Sequence, residues 1–249
     1  MTTALPSHAE FLLFAEKLAD TSRAMLLTAS RTVPEVTIKV DASYVTTTDK
    51  AVEKKLREMI VAQYPDHGIL GEEFENININ AEYVWVLDPI DGTAAFVAGI
   101  PVYGSLIALA WKGKPFLGVI DHPISDDRWT GVNHTCAFHN GRPVTTRSCE
   151  TLASAYVTCS NCDFMSPSQL AQFTSVRKQV AYVQYGGSCF SYGALASGRS
   201  DFAIDAGLEA FDIYACAAII QGAGGIVTTW GGSELSFDMD GNVLAAGGQ

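Results

Sequence analysis

Near the start of the chain the apolar residues Phe11, Leu12, Phe14, Leu18, Met25 and Leu26 recur at helical spacing, with Glu and Lys between them. This pattern predicts an amphipathic helix over about residues 8 to 30. After the strand-like Val36-Thr37-Ile38-Lys39, the positions Ala51, Val52, Leu56, Met59 and Ile60 predict a second helix, with Thr48 or Asp49 as its cap. Gly68-Ile69-Leu70 is a short apolar run. Tyr83 to Leu87 is a longer run of aromatic, β-branched and aliphatic residues, and both read as buried strands. Pro89 cannot donate to a ladder, so the second strand is expected to stop at Asp88.

Beyond Pro101 the alternation predicts an antiparallel meander. It comprises Val102 to Trp111, a turn at Lys112-Gly113-Lys114, Pro115 to Asp121, Arg128 to Val132, and a last pair around Asn140-Gly141. Strands then alternate with helices: Ala155 to Thr158, a helix near Ser168 to Lys178, Val180 to Gln184, a helix over Ser188 to Ser197, Phe202 to Ile204, a helix after Asp212, and Ile226 to Thr229. Alternation of this kind predicts a mostly parallel or mixed sheet flanked by helices. Gly222-Ala223-Gly224-Gly225 follows a helix rather than a strand, so it reads as a C-cap and turn, not a dinucleotide loop. The expected division is an N-terminal α+β unit over residues 1–145, with the antiparallel sheet, and a C-terminal α/β unit over 146–249.

Composition narrows the function classes. With 48% hydrophobic and 17% charged residues, the 249-residue chain can bury a large core and is not disordered. No apolar stretch reaches the roughly 20 residues that cross a bilayer, and no basic segment followed by an apolar one opens the chain, so a cytoplasmic protein is expected. A formal charge of −11, without a Lys/Arg cluster, disfavours nucleic acid and anionic membranes as partners. The six cysteines have no disulfide-framework spacing. Cys159-Ser-Asn-Cys162 has the C-x-x-C spacing, but no second pair completes a zinc site, and the two are read as free thiols. The five histidines show no ligand spacing and read as surface or turn residues, with His122 in Val119-Ile120-Asp121-His122-Pro123 the one to watch.

Chemistry concentrates where apolar runs end in acids. Asp88-Pro89-Ile90-Asp91-Gly92-Thr93 holds two carboxylates three residues apart at a strand end, poorly placed for packing because burying unpaired charge costs several kcal/mol. They are well placed to hold a divalent cation, although an isolated D-x-x-D-G also fits a turn whose aspartates cap the following backbone. Gly71-Glu72-Glu73 closes the other apolar run. Strand alternation would send the two glutamates to opposite sides, one toward Asp88 and Asp91 and the other behind it. Asp212, at the expected helix start, suits an N-cap and a metal ligand alike. The short helix from Thr93 to Val97 offers free N–H groups beside the acids as an anion seat.

Taken in order, Gly71-Glu72-Glu73, Asp88-Pro89-Ile90-Asp91-Gly92-Thr93, and Phe211-Asp212 before a Gly-Ala-Gly-Gly run resemble the inositol monophosphatase superfamily of magnesium-dependent phosphomonoesterases over nearly the whole chain. The resemblance implies a five-layer α/β/α/β/α sandwich, a common homodimer, and two or three Mg²⁺ ions. It implies that Glu72, Asp88 and the Ile90 carbonyl hold a first ion, and that Asp88, Asp91 and Asp212 hold a second. Thr93 and a Glu72 or Glu73 carboxylate would orient the attacking water, and the Gly92 and Thr93 N–H groups would clamp the phosphate. Asp49 with Lys39 would position another metal or its water, although capping alone also accounts for Asp49.

The same resemblance implies that the alcohol part of a small phosphate monoester lies at Gly186-Gly187-Ser188 and Asp205, where the acid would accept from inositol hydroxyls or pair with an amine. The block Phe96 to Leu109, with Gly118 to Pro123 and Arg128 to Gly131, looks most like the histidinol-phosphate phosphatase branch, an enzyme of histidine biosynthesis. Two positions depart from that branch: Ser188 stands where it tends to carry an acid, and Ala94-Ala95 replaces a polar pair. An inositol 1-phosphate or broad sugar-phosphate phosphatase is the alternative, and a non-catalytic metal-binding protein of the same fold is the alternative from another class.

Overall fold

The computed structural model describes residues 8–39 and 44–248. In chain order, α1 (His8–Ala29), β1 (Val36–Ile38), β2 (Tyr44–Thr46) and α2 (Thr47–Gln63) precede β3 (Gly68–Gly71) and β4 (Tyr83–Asp91). Next come α3 (Thr93–Ala98), β5 (Gly104–Trp111), β6 (Lys114–His122), β7 (Asp127–Val132), β8 (Cys136–His139) and β9 (Arg142–Pro143). The remainder is β10 (Tyr156–Cys159), α4 (Pro167–Arg177), β11 (Tyr182–Tyr185), α5 (Ser188–Ala196), β12 (Phe202–Asp205), α6 (Ala210–Gly222), β13 (Ile226–Thr229) and β14 (Val243–Ala246).

A seven-stranded sheet runs β3-β4-β5-β6-β7-β8-β9, and a five-stranded sheet runs β11-β10-β12-β14-β13. Strand alternation divides the first sheet's side chains between two cores. Trp85, Leu87, Ile107 and Leu109 face the apolar stripes of α1 and α2 with Phe11, Leu18, Leu56 and Ile60. Val84, Val86, Leu106 and Ala108 face α5 and α6, whose opposite surfaces meet Ala203, Val227, Val243 and Ala245 of the second sheet. Phe173 of α4 packs with Val157 and Ile204 on the outer side of that sheet. The result is the expected five-layer α/β/α/β/α sandwich.

α6 runs through the centre of the molecule, and nine of its residues, from Ala210 to Ile220, are buried. An all-round apolar helix of this kind needs protein on every side. The small residues on both partners permit a close approach: a Cβ on Gly118 of β6 would lie 2.3 Å from the Ala215 carbonyl oxygen, and one on Gly131 of β7 would lie 2.7 Å from the Ile219 Cα. This packing sets the depth at which Asp212, in the first turn of α6, meets the end of β4.

Three local expectations are corrected, and one further strand is added. β4 does not stop at Asp88 but continues to Asp91, because a register shift between Asp88↔Leu106 and Asp91↔Gly104 leaves Pro89 out of the ladder. The carbonyl that Pro89 would have lost to solvent accepts from the Ser105 hydroxyl at 2.7 Å. The cap of α2 is Thr46, not Thr48 or Asp49; Asp49 is the reciprocal member of a capping box, accepting from the Thr46 N–H at 2.8 Å. Asp212 plays the same part in α6, where it accepts from the N–H of the N-cap Glu209 at 2.6 Å. β14 carries no alternation strong enough to mark it, yet it pairs antiparallel with both β12 and β13 and makes the second sheet mixed.

His67 is also not a surface residue. It stacks on Tyr64 at 4.6 Å between ring centroids and accepts a hydrogen bond from the Trp85 indole, and its pKa is lowered by burial. Among the described residues no helix is long and apolar enough to cross a membrane.

If α6 sets this close contact, Gly118→Ala should cost about 1–3 kcal/mol of stability through overpacking. Urea denaturation of the purified variant reads this directly, and an unchanged midpoint at unchanged slope would contradict the packing.

Candidate active site

The site forms where the end of β4 meets the start of α6. β4 delivers Asp88 and, past the bulge, Asp91; α6 delivers Asp212 from its first turn. One carboxylate oxygen from each lies within 4.8 Å of the other two, with Asp88 buried and Asp91 and Asp212 half-buried. Their pKa values are all raised. Burial is the main cause at each, followed at Asp88 by the charges of Glu72, Asp91 and Asp212, and at Asp212 by the charge of Asp91. A donor set of carboxylate oxygens alone, mutually repelling and poorly hydrated, fits a hard divalent cation such as Mg²⁺ and not a soft metal.

Backbone geometry closes the site on its phosphate side. Gly92 adopts φ +82°, which a side chain tolerates badly, and a Cβ there would also lie 2.6 Å from the Ser188 hydroxyl oxygen. Only glycine lets the turn after Asp91 lie against the start of α5. Thr93 begins α3; its hydroxyl donates to the Ile90 carbonyl at 2.9 Å and reaches Asp49 Oδ1 at 3.3 Å. The first N–H groups of α3 have no partner within the helix. Asp49 is fully buried, and burial raises its pKa.

Glu72 and Glu73 do not diverge as strand alternation predicts, since β3 ends at Gly71 and both lie in the following turn. Lys39 Nζ bridges them, at 2.9 Å from one oxygen of each. Burial raises the Glu72 carboxyl to about 7 against the pull of Lys39. Burial alone would lower the Lys39 ammonium, but its hydrogen bonds to Glu73 and Glu72 outweigh that, and its pKa is raised. Glu72 therefore stands close enough for its charge to act on Asp88, yet it lies outside the group of three whose oxygens are all within 4.8 Å of one another.

Three supporting residues were not singled out from the sequence. Glu53 and Arg57, one turn apart on α2, pair at 2.8 Å. Glu53 accepts from the Glu73 N–H, while Arg57 donates to the Phe74 and Glu75 carbonyls, so the pair clamps the acidic turn. The i,i+4 Glu–Arg spacing was visible, but such pairs are usually solvated and this one is buried.

The third is Cys189, whose backbone N–H donates to Asp91 Oδ2 at 2.6 Å. Its thiol lies 3.3 Å from His122 Nε2, and His122 Nδ1 is 2.9 Å from the Tyr103 carbonyl, which makes Nδ1 the protonated nitrogen and Nε2 the acceptor. Burial pushes the His122 pKa down to about 4, so the ring is neutral.

On the alcohol side, Gly186 and Gly187 both have left-handed φ, as does Ser188 at +46°, which brings the Ser188 hydroxyl against the Gly92 turn. Asp205 is 3% exposed and engaged within the protein: Oδ1 accepts from the Ser160 N–H at 2.6 Å, and Oδ2 from the Tyr192 hydroxyl at 2.6 Å. The structure thus turns it toward Ser160 and Tyr192 instead of leaving it exposed.

A layered α/β sandwich with an oxygen-only acidic cluster at a strand end defines a small class of proteins. The inositol monophosphatase family model matches residues 8–249, and the chain belongs to that family. The chloroplastic bifunctional phosphatase IMPL2 of Arabidopsis thaliana is 39% identical over 237 residues, which cover 94% of this chain and 68% of that protein. A histidinol-phosphatase of Chlorobaculum parvum is 33% identical over 212 residues, 85% of this chain and 82% of the relative. Among solved structures, an inositol monophosphatase from Zymomonas mobilis superposes with a TM-score of 0.89 at 34% identity, covering 98% of this chain and 95% of that one.

Acids with raised folded-state pKa values bind more protons folded than unfolded. The metal-free protein should therefore lose stability as pH rises from the ordinary aspartate range toward neutrality, and a bound divalent cation should reverse that loss. At pH 7 in chelator, Asp88→Asn should melt above wild type, by about 2–4 °C for each kcal/mol of relieved repulsion. Saturating Mg²⁺ should raise the wild-type melting temperature and leave the variant unmoved. Equal Mg²⁺ shifts in both proteins, read by calorimetry, would place the ion elsewhere.

Proposed function

We propose that the protein is a Mg²⁺-dependent phosphomonoesterase of small alcohol phosphates, with a sugar or inositol monophosphate as first substrate class. The observation that carries this reading is the trio Asp88, Asp91 and Asp212 at the foot of α3. Phosphate monoesters resist attack because an anion repels the nucleophile and the alkoxide leaves badly. Magnesium held by these three carboxylates, with Glu72 and the Ile90 carbonyl available beside them, would supply positive charge at the phosphate and a more acidic water.

The chain's own groups do the positioning. Thr93, whose hydroxyl sits between Asp49 and the Ile90 carbonyl, can accept a water's hydrogen bond or pass its proton toward Asp49. Glu72 can accept a hydrogen bond from the water, and Lys39 with Glu73 holds it in place. The Gly92 and Thr93 N–H groups would receive phosphate oxygens, and the loop from Gly186 to Ser188 would face the alcohol.

Breadth is supported by the likeness to a bifunctional phosphatase and to an inositol monophosphatase structure over almost the full chain. The alcohol side also supports a polyol over a cation. Ser188 carries no charge where an acid would pair with an amine, and Asp205 is engaged by Ser160 and Tyr192. Histidinol phosphate is the second reading, favoured by the Chlorobaculum relative of that name.

Phosphate release from inositol 1-phosphate, fructose 1,6-bisphosphate, histidinol phosphate and adenosine 3′,5′-bisphosphate, with and without Mg²⁺, separates these readings. Turnover should require Mg²⁺ and favour a polyol phosphate. A strong preference for histidinol phosphate would select the second reading, and release that ignores chelator would sink both. Asp91→Asn should lose at least about 100-fold in kcat with its circular dichroism unchanged, and near-wild-type turnover would discard the assignment.

A further inference from the structure

The C-x-x-C pair Cys159 and Cys162 plays no part in the proposed hydrolysis, yet it brackets a residue that does bear on the site. Cys159 ends β10 and is 1% exposed; Cys162 opens a 3-10 turn over Cys162–Phe164 and is half-buried. Their sulfurs lie 3.9 Å apart. Cys162 also lines a cavity of about 350 Å³ with Ser160, Arg177 and Tyr185, through which a small solute can reach it. Between the two sulfurs the chain makes several contacts with the alcohol side. The Ser160 N–H and hydroxyl donate to Asp205 at 2.6 and 3.3 Å, and the Cys159 and Ser160 carbonyls both accept from the Gly186 N–H at 3.1 Å.

From this arrangement we infer that Cys159 and Cys162 form a reversible disulfide that resets the loop from Gly186 to Ser188. The oxidant is a small-molecule disulfide. Cys162 as thiolate attacks one of its sulfurs, giving a mixed disulfide and one released thiolate. Cys159, deprotonated in the same step, then attacks the Cys162 sulfur and expels the second thiolate. The two protons from the cysteines end on the two released thiols, the protein dithiol is oxidised, and the small disulfide is reduced. Burial holds the Cys159 thiol pKa well up, which assigns the first attack to Cys162.

Bond formation draws the sulfurs from 3.9 Å to roughly 2.0 Å. Cys159 is held in the β10 ladder by its pairing with Tyr185 of β11, so the turn from Ser160 to Cys162 is the part that moves. Its movement strains the Ser160 bonds to Asp205 and the double acceptance from Gly186. The trio Asp88, Asp91 and Asp212 belongs to other segments and is left in place. Oxidation thus acts on binding of the alcohol, a consequence that rests on the function proposed above, whereas the disulfide itself does not.

The full-length protein should be equilibrated in glutathione buffers from reduced to oxidised, alkylated and digested. A Cys159–Cys162 peptide lacking two hydrogen atoms is expected in the oxidised buffer, and its loss on addition of dithiothreitol. Amide exchange at Gly186 should speed up on oxidation, and KM for the substrate turned over best should rise about fivefold with kcat largely kept, as for one neutral hydrogen bond lost. Cys162→Ser should show none of these changes while keeping the reduced protein's KM. Absence of the peptide in the oxidised buffer overturns the inference. So does a disulfide that leaves Gly186 exchange unchanged, or an oxidant effect that persists in Cys162→Ser. Gly186 exchange reads the coupling without any substrate, so failure of the phosphatase reading would be seen separately.

Discussion

Three carboxylates forced within 4.8 Å of one another are the constraint around which the structure is built. Burial disfavours the charged form of each, neighbouring acids add to this at Asp88 and Asp212, and no lysine or arginine hydrogen-bonds or ion-pairs with any of them among the described residues. A fold that selected only for stability would have replaced such a trio with apolar side chains. The arrangement makes physical sense when a divalent cation completes it, because the repulsion that weakens the metal-free site becomes attraction in the filled one.

Much of the surrounding structure serves to hold those acids at fixed positions. Ser105 satisfies the carbonyl at the β4 bulge, so Asp91 can emerge past Pro89 without an unpaired group behind it. Glu53 and Arg57 fix the turn carrying Glu72 and Glu73. Cys189 gives its N–H to Asp91 while its thiol rests against a neutral His122, tying the phosphate side to the start of α5. The close approach of α6 to β6 and β7 sets where Asp212 arrives. A small displacement in any of these would change the spacing of the oxygens, and so the cation the site prefers.

Several of these features were legible in the sequence, for identifiable reasons. The acids stood out because Asp88 and Asp91 end an otherwise uncharged run, and Asp212 opens a long apolar, small-residue segment. The meander from Gly104 to Pro143 was legible through its alternation and its Lys112-Gly113 and Asn140-Gly141 turns. Local reading failed where a distant residue decides the outcome. Pro89 ends a strand by its own chemistry, and only Ser105, sixteen positions on, makes the bulge tolerable. The divergence expected of Glu72 and Glu73 assumed a strand that ends one residue earlier, and Lys39, far upstream, draws both side chains together. Glu53, Arg57 and Cys189 carry ordinary local signals, and their burial comes from packing that no short window contains. Asp205 lay at the expected place in the chain but is turned inward by Tyr192 and Ser160.

Diffraction from crystals grown with Mn²⁺, collected at the manganese absorption edge, addresses the acidic trio most directly. An anomalous peak bounded by oxygens of Asp88, Asp91 and Asp212 is the predicted result. Density for manganese only elsewhere, with those three carboxylates unligated at a saturating concentration, would contradict it.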